Sequence, residues 1–267
     1  MTNYKNFFGF QKEPFSQDIK VTDLYPIPGF NGTIDRFMFA IDTGAVSVIT
    51  GDIGTGKSSS LRFGCSKLHP SQYKVISIVA NSGTVMELIR QMAIALDADC
   101  KTTSITSAVK TVRNIITDII ERKQKPVLII DESHIMRLEV FAQLHILFQF
   151  DFDSKPVLPI ILCGYNSLID KLMYHTSRPL SSRVVGRSHL QPLTFKDMKN
   201  YIKHHLDVVK FTDHLFSDEA VVAIQQVSGG LLRKANILAK GSLIAAASES
   251  TITVTAEHVR IASTEII

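Results

Sequence analysis

A short glycine-rich segment that ends in lysine and serine has the composition of a phosphate-binding loop. Residues 51–58 read GDIGTGKS and fit the pattern G-x-x-x-x-G-K-[ST] at every fixed position. Glycines permit a close backbone approach, so that successive N–H groups surround phosphate oxygens beside the positive end of the following helix. Lys57 would add a charge at the β- and γ-phosphates, and Ser58 a hydroxyl for Mg²⁺. The predicted nucleotide-binding residues of this loop are Gly51, Asp52, Ile53, Gly54, Thr55, Gly56, Lys57, Ser58 and Ser59.

An acidic pair, Asp131-Glu132, follows the apolar run PVLII. A carboxylate at the carboxyl end of a buried strand faces the ligand crevice of an α/β sheet. We therefore expect Asp131 to support Mg²⁺ together with Ser58, and Glu132 to orient and deprotonate an attacking water. His134 lies two residues beyond Glu132, where it could sense the γ-phosphate, touch a partner or simply be a polar loop residue. The loop and the acidic pair together predict ATP and Mg²⁺ as cofactors and ATP hydrolysis as the reaction.

Four short apolar runs, rich in β-branched residues, predict strands that are buried on both faces of a parallel sheet. They span residues 46–50, 74–79, 126–130 and 157–163. Helical patterns cover residues 58–68, 85–96, 106–122 and 139–150 between and after these runs. Strands and helices that alternate at this pitch predict an α/β fold, a P-loop NTPase parallel sheet flanked by helices.

After about Leu190 the sequence predicts helices instead of further buried strands. They cover residues 194–209, 217–227, 231–247 and a last stretch from 256 onward. Thr194 and Ser217 stand where an N-cap is needed, and Thr255 is a third candidate cap. We predict two domains: a nucleotide-binding α/β domain over residues 1–190 and a small helical lid domain over residues 191–267.

The composition excludes several classes of protein. The chain has 267 residues, 45% of them hydrophobic and 20% charged, which is typical of a globular protein. Its net charge, 29 − 25 = +4, is compatible with a nucleic-acid partner without requiring one. No apolar stretch reaches the ~18 residues of a membrane span, and the N-terminus lacks the order of a signal peptide. Three widely spaced cysteines favour reduced thiols, so we expect a cytoplasmic protein without a membrane partner.

Taken together, these motifs resemble those of the AAA+ ATPases. The opening residues Phe7-Phe8-Gly9-Phe10 and Pro14-Phe15, then TGDIGTGKSSSLR, LIIDESH and Leu162-Cys163-Gly164, are similar to the ExeA/GspA branch. The same pattern is similar to the ATPase subunits that bacterial transposons encode beside a transposase, the MuB-like, TnsC-like and TniB-like proteins. The phosphate loop alone is shared by many unrelated NTPases, whereas the N-terminal aromatic motif and a C-terminal Gly-x-x-Arg narrow the resemblance.

The resemblance implies three further site residues. Sensor 1 is a polar residue at the end of the fourth strand, and relatives often have Gln there, directly after the Gly. This chain has Tyr165 at that position, so the role would fall to Asn166, one residue further on. An arginine finger at a subunit boundary corresponds to Arg183 in the segment LSSR, with Arg187 as the alternative. Sensor 2 corresponds to Arg233 in the segment GGLLR, from which it would approach the γ-phosphate. Glu132, Lys57 and Arg183 are thus the predicted catalytic residues.

Two specific functions are compatible with this resemblance, and an NTPase with only a protein partner is a third, less specific possibility. The first is an ATP-dependent regulator of DNA transposition, which would form a homo-oligomeric ring or helical filament, hold duplex DNA with little sequence preference, and recruit a transposase and a target-selection protein. The second is a secretion-system ATPase of the ExeA/GspA type. The secretion branch implies a transmembrane helix and a cell-wall-binding module after the ATPase core, and residues up to Ile267 contain neither. If the chain is complete, this favours transposition; if it is a fragment, the argument fails.

Residues for DNA contact are the least defined part of the sequence. Basic side chains cluster around Lys101, Lys110 and Arg113, and again on the first lid helix. The lid set contains Lys196, Lys199, Lys203, His204 and His205. Such a cluster is more often a solvated helix face than a DNA contact. DNA binding through these residues would be tolerant of sequence and strongly dependent on salt.

Overall fold

The computed structural model describes residues 4–148, 150, 155–211 and 214–265. Its sheet consists of β1 (Val46–Gly51), β2 (Tyr73–Val79), β3 (Lys125–Asp131), β4 (Ile160–Gly164) and β5 (Val184–Leu190). The strands are all parallel and follow the order β2-β3-β4-β1-β5. The predicted α/β fold is therefore confirmed, and the carboxyl ends of all five strands lie along one edge of the sheet.

The helices follow the strands along the chain. They are α1 (Tyr4–Phe8), α2 (Phe30–Thr43), α3 (Lys57–Ser66), α4 (Val85–Ala95), α5 (Ile105–Glu121), α6 (Leu138–Leu144), α7 (Ser167–Met173), α8 (Arg178–Ser181), α9 (Phe195–Val208), α10 (Asp218–Ser228), α11 (Leu232–Ser248) and α12 (Ala256–Thr264). Short 3₁₀ turns cover Val21–Asp23, Ser133–Ile135, His145–Phe148 and His175–Ser177.

The described residues group into two compact units. The sheet unit comprises Gly29–Gly51 and Lys57–Leu190, and the helical unit lies within Met1–Pro28, Asp52–Gly56 and Gln191–Ile267. The helical unit thus includes the N-terminal segment and the middle of the phosphate loop, in addition to the C-terminal helices. The division into functional domains at residues 190 and 191 stays a prediction.

In the sheet unit, three central strands carry the core. Every residue of β1 and β4 is buried, as are the five middle residues of β3. Apolar, β-branched side chains suit strands with both faces covered. Helix α2 packs on β1 and β5, α4 on β2, and α5 on β3. This packing holds Gly51, Asp131 and Gly164, the last residues of the three central strands, in fixed positions at one edge of the sheet.

In the helical unit, aromatic residues of the N-terminal motif form part of a core. Phe8, Phe10 and Phe15 are buried, and Phe8 stacks on Phe10 with ring centroids 5.4 Å apart. Phe15 stacks on the buried ring of His205 at 5.1 Å, and burial lowers the pKa of His205 to about 4. These side chains pack within the unit, where their burial keeps them from stacking on nucleic-acid bases.

Helix starts in the helical unit follow the predicted caps. The hydroxyl of Thr194 accepts a hydrogen bond from the Asp197 N–H, and that of Ser217 accepts one from the Ala220 N–H. Thr255 caps α12 in a capping box with His258. Each cap satisfies a backbone donor that the first turn leaves without an intrahelical partner.

Several elements differ from the sequence prediction, which does not include α1, α7 or α8. The fourth strand begins at Ile160 rather than at residue 157. Pro159 has no N–H to donate, so the Ile160 N–H, which donates to the Ala45 carbonyl, follows a position that can only accept. The sequence predicts no strand where β5 lies; the burial of β5 alternates, so it lacks the continuous apolar run of the central strands. Helix α2 is a further element that the sequence prediction does not include.

Candidate active site

Lys57 begins α3 and is buried at the end of β1. It is only 6% exposed, and its Nζ atom donates a 2.9 Å hydrogen bond to the Gly51 carbonyl oxygen. The same atom lies 5.0 Å from the centroid of the Tyr165 ring. A buried ammonium group with a fixed position is a strong attractor for an anionic ligand, because the low local dielectric strengthens charge interactions. This agrees with the role predicted for Lys57 at the nucleotide phosphates.

Ser58 and Asp131 meet across the end of the sheet. The Ser58 hydroxyl donates a 3.3 Å hydrogen bond to Asp131 Oδ2, although the two residues are 73 positions apart. Asp131 Oδ1 accepts a 2.8 Å hydrogen bond from the Glu132 N–H. A hydroxyl and a carboxylate that share one location are suitable oxygen ligands for Mg²⁺. The structure thus brings together the two residues predicted to hold the metal.

Glu132 has an unusual backbone conformation. Its φ is +53°, a left-handed value that costs a residue with a side chain of the order of 1–3 kcal/mol. The following 3₁₀ turn, Ser133–Ile135, is tied to β4 because the Ser133 hydroxyl donates a 2.8 Å hydrogen bond to the Cys163 carbonyl. The strand therefore ends abruptly, and the Glu132 side chain takes its direction from a fixed turn.

His134 lies against Glu132 on one side and Tyr165 on the other. Its Nδ1 atom is 3.4 Å from Glu132 Oε2, and its ring stacks on Tyr165 with centroids 4.0 Å apart and planes inclined by 29°. Burial lowers the pKa of His134, with Lys171 and Lys57 acting in the same direction against the opposing effect of Glu132 and Asp131. We therefore expect a neutral imidazole at pH 7.

Two residues of the β4–α7 segment make this arrangement possible. A Cβ atom at Gly164 would lie 3.0 Å from the backbone nitrogen and Nδ1 of His134, so a side chain there would displace the ring. Lys171 donates hydrogen bonds to the carbonyl oxygens of His134 and Met136, the latter at 2.6 Å. Burial lowers the pKa of Lys171. Both features hold the turn after Glu132 in place.

The structure places Tyr165, and not Asn166, beside the predicted catalytic groups. Asn166 is exposed at the start of α7, whereas Tyr165 contacts both Lys57 and His134. Sensor 1 at Asn166 stays a prediction. Members of the family that this chain resembles often have Gln at the position of Tyr165. An aromatic residue in place of that Gln is the sequence signal that could have indicated this contact.

Arg183 lies between α8 and β5. Its guanidinium donates a hydrogen bond to the Pro179 carbonyl, and its own carbonyl oxygen accepts a 3.0 Å bond from the Val46 N–H. Arg187 is exposed on β5. Action of either residue on a neighbouring subunit stays a prediction.

Arg233 and the middle of the phosphate loop meet in the helical unit. The Leu232 N–H, at the start of α11, donates a 2.8 Å hydrogen bond to the Gly54 carbonyl. Gly54 has a φ of +83°, and a Cβ atom at this position would lie 3.0 Å from Arg233 Cβ. Arg233 as a whole is exposed. The position predicted for sensor 2 is therefore adjacent to the loop.

The remaining predicted loop residues differ in burial. Thr55 is buried and its hydroxyl donates a 2.9 Å hydrogen bond to the Asp52 carbonyl, whereas Asp52 and Ile53 are exposed. Gly56 has a φ of +98°, which glycine adopts readily. Ser59 is half-buried in the first turn of α3.

The basic face predicted on α9 is smaller than the sequence suggests. Lys196, Lys199 and Lys203 are exposed, but Lys199 pairs with Asp218 at 2.7 Å. His205 is buried, and His204 Nε2 lies 2.7 Å from the Asp23 carbonyl oxygen. The two histidines therefore do not belong to a surface available for DNA.

Clustered metal ligands and membrane-spanning helices are both absent from the described ranges. Among these residues, no group of three His, Cys, Asp or Glu side chains could hold a metal ion by itself. No helix in the described part of the chain combines the length and the apolar character that crossing a bilayer requires.

Comparison with known proteins defines the class of this fold. Residues 41–172 match the family model described as AAA domain, a range that contains the phosphate loop and the acidic pair. The structure of Cdc6p from Pyrobaculum aerophilum is similar over 95% of this chain and 70% of its own, with a TM-score of 0.75 and 15% identity. The ORC1 protein of Aeropyrum pernix, solved in complex with DNA, gives a TM-score of 0.66 over 94% of this chain and 68% of its own at 14% identity. The fold is that of a P-loop NTPase of the AAA+ type.

A curated relative points to one branch of that class. General secretion pathway protein A of Aeromonas hydrophila is 26% identical over 248 residues, which are 91% of this chain and 45% of the relative. The chain thus spans about half the length of this relative. These findings agree with the predicted resemblance to the AAA+ proteins of the ExeA/GspA branch. These comparisons do not test whether the chain is more similar to the transposon-encoded ATPases, so that part of the resemblance stays a prediction.

Proposed function

We propose that this chain is an ATPase that hydrolyses ATP to ADP and phosphate. The observation that carries the proposal is the meeting of the Ser58 hydroxyl and the Asp131 carboxylate at 3.3 Å, beside the buried ammonium of Lys57 and the adjacent Glu132. These four residues come from two distant segments of the sequence. Their side chains supply a phosphate-binding charge, metal ligands and a base, which are the groups that phosphoryl transfer to water needs.

The chemical types of these residues fit ATP and Mg²⁺. Lys57 would bind the β- and γ-phosphates, while Ser58 and Asp131 would hold Mg²⁺. Since two protein oxygens do not complete a magnesium site, phosphate oxygens and water would supply the remaining ligands. When bound, the nucleotide provides the phosphoryl group that is transferred, and the metal neutralises its charge. Glu132 orients the attacking water and accepts its proton.

The proposal is tested first at Lys57. Lys57→Ala removes the positive charge from a site that attracts anions, so nucleotide affinity measured by calorimetry should be lost. Lys67→Ala, which removes an ammonium near the half-buried Phe63 ring, is the matched control and should bind as the wild type does. Unchanged affinity in Lys57→Ala would contradict the assignment of the phosphate loop.

We further propose that the active site is completed by a second copy of the chain. In this proposal Arg183 of one subunit reaches the γ-phosphate of its neighbour in a ring or helical filament, and Arg233 acts within its own subunit. An arginine supplied in trans is worth about 10³–10⁵ in turnover in well-studied cases. Arg183→Ala should therefore hydrolyse ATP far more slowly while each isolated subunit still binds it.

Mixing two inactive variants separates a composite site from a monomeric one. Arg183→Ala and Lys57→Ala should each hydrolyse ATP poorly alone, but a boundary between them would pair an intact phosphate loop with an intact arginine. Partial recovery of hydrolysis in the mixture supports the composite site. No recovery at any ratio, with both variants folded, would contradict it, and the same mixture with Arg187→Ala tests the alternative arginine.

For the biological role, we propose a general secretion pathway protein A-like ATPase module. The support is a sequence similarity that goes beyond a shared fold: the two proteins are 26% identical over 91% of this chain.

A DNA-dependent role with a transposase partner is the second candidate. It is supported by the exposed Lys196 and Lys203 on α9 and by the fold shared with Aeropyrum pernix ORC1, which was solved in complex with DNA. ATPase rates with and without duplex DNA distinguish the two roles. A salt-sensitive stimulation that Lys196→Glu and Lys203→Glu abolish would favour the second.

A further inference from the structure

Two groups of opposite charge in the proposed reaction touch opposite ends of one aromatic stack. At one end, the Lys57 ammonium lies 5.0 Å from the centroid of the Tyr165 ring. Tyr165 stacks on His134 at 4.0 Å, and His134 Nδ1 is 3.4 Å from Glu132 Oε2 at the other end. All four residues belong to the sheet unit.

We propose that Tyr165 and His134 are positioning residues for this ATPase, with Tyr165 placing the Lys57 ammonium and His134 placing the Glu132 carboxylate. The inference rests on the proposed ATP hydrolysis and adds two residues that neither the sequence motifs nor the comparisons assign to it. Neither residue transfers a proton in this proposal. Both act by restricting where a charged group that contacts the nucleotide or the water can lie.

Two features of the surrounding backbone fix the position of the His134 ring. Lys171 donates hydrogen bonds to the backbone on both sides of Ile135, and Gly164 leaves the space that the His134 ring occupies. His134 Nδ1 is buried, and within the described part of the chain it has no hydrogen-bond partner. Because Glu132 Oε2 lies 3.4 Å from this atom, a small rotation of the carboxylate would complete a hydrogen bond between them.

Positioning matters here because glutamate is a flexible base. The Glu132 side chain is 36% exposed and has several rotatable bonds, so a fixed neighbour reduces the rotamers that it samples. Misplacement of a reacting group by about 1 Å can cost about 10²-fold in rate. On the other side, a cation over an aromatic ring is attracted to its face, which restrains Lys57 without consuming its hydrogen-bond donors.

The test compares variants that separate the two contacts. His134→Ala should lower kcat by about 10- to 100-fold while the KM for ATP and the nucleotide affinity change by less than about twofold. His134→Phe keeps the stack but loses Nδ1, so its kcat should be as low as that of His134→Ala. Tyr165→Leu should lower kcat and also raise KM through Lys57, and Tyr165→Phe should restore both relative to Tyr165→Leu.

An exposed pair in the same unit provides the matched control. Tyr174 and His175 have ring centroids 5.8 Å apart and are both exposed, so Tyr174→Leu and His175→Ala should retain the wild-type kcat. In a Glu132→Gln background, His134→Ala should lower kcat little further, because two residues that act through one contact are not additive.

The outcomes separate failure of the inference from failure of the proposed function. A wild-type kcat in His134→Ala, in a protein that hydrolyses ATP, would overturn the positioning role and leave the ATPase intact. A wild type that binds ATP without hydrolysing it would overturn the ATPase. In that case the NMR signals of the His134 ring test its contacts with Tyr165 and Glu132. Signals that shift in Tyr165→Leu and in Glu132→Gln support the two contacts, and signals that stay unchanged overturn them.

Discussion

The carboxyl end of β3 and the start of α11 are organised in different ways. At the end of β3, the side chains have defined partners: Asp131 accepts from Ser58, and Glu132 lies against His134. At the start of α11, the backbone is fixed by the bond from the Leu232 N–H to the Gly54 carbonyl, whereas Arg233 is exposed. The end of β3 therefore has functional side chains with fixed positions. The start of α11 has a fixed backbone, but its candidate functional side chain is exposed to solvent.

This difference separates two kinds of contribution to a nucleotide-binding protein. A side chain with fixed partners loses little further freedom when a reaction begins, so its replacement is felt mainly in kcat. An exposed arginine must be ordered by its ligand and loses conformational entropy at that moment. We therefore expect variants at the end of β3 to change turnover and variants at the start of α11 to change binding as well.

The largest effect is expected at the end of β3. Glu132→Gln keeps the shape of the side chain but cannot accept a proton from water, so hydrolysis should fall by about 10²–10⁴-fold with ATP still bound. Single-turnover hydrolysis and calorimetry measure the two quantities. Turnover at the wild-type rate would show that another residue is the base.

A smaller effect is expected from the backbone contact at the start of α11. Gly54→Ala forces a side chain into a conformation with φ of +83° and against Arg233, which should weaken nucleotide binding by about 5- to 150-fold. Gly9→Ala is the matched control, since Gly9 has a φ of +68° but open space around its Cβ position. Equal nucleotide affinity in both variants would show that the contact with Arg233 contributes nothing.

Removal of the exposed side chain should come next. Arg233→Ala is expected to lower nucleotide affinity and turnover together by about tenfold, the size of one hydrogen bond to a charged group. Lys234→Ala, in the adjacent position of α11, is the control. A change in kcat alone, with affinity preserved, would place Arg233 with the residues of β3 and would remove the distinction between the two regions.

The smallest effect concerns how α11 is held. Lys240 of α11 and Lys5 both pair with Glu13, and the hydrogen bond from Lys240 is the main cause that lowers the pKa of this carboxyl group, against the effect of burial. A lowered pKa stabilises the fold above the ordinary pKa of glutamate, and that stability is lost as the pH falls through the lowered value. Glu13→Gln should therefore cost below about 1 kcal/mol at pH 7, because the pairs are partly exposed.

Urea unfolding of the wild type and Glu13→Gln measures this difference. The two midpoints should differ at pH 7 and converge as the pH falls below the ordinary range of a glutamate. A difference that stays constant with pH would mean that the substitution acts through packing and not through charge.

The phosphate loop, the acidic pair and the central strands could be predicted because each has a strong local signal. Val48, Ile130 and Leu162 lie in continuous apolar runs, and the fixed spacing around Lys57 leaves few alternatives. Helix α2, which the prediction does not include, also has a signal, since it carries buried apolar residues at helical spacing. They are Phe30, Ile34, Phe37 and Ile41. Periodicity alone would therefore have been enough to predict this helix.

Strand β5 and the His134–Tyr165 stack could not be obtained in the same way. Segment VVGRSHL alternates in burial and contains glycine, so its strand character depends on pairing with β1. Residues 134 and 165 are 31 positions apart, and their contact follows from the pairing of β3 with β4, which periodicity alone does not specify. Register between strands decides which loop residues meet.

The strand order has a consequence for how such a site can be altered. Strand β4 lies between β1 and β3, so the loop that carries Lys57 and the turn that carries Glu132 are about two strand spacings, or ~10 Å, apart. A side chain that follows β4 lies between them, and in this chain Tyr165 contacts Lys57 on one side and His134 of the turn on the other. If the proposed ATPase activity is found, saturation mutagenesis of that single codon should change nucleotide retention and turnover together, which makes it an economical starting point for engineering slow or fast variants.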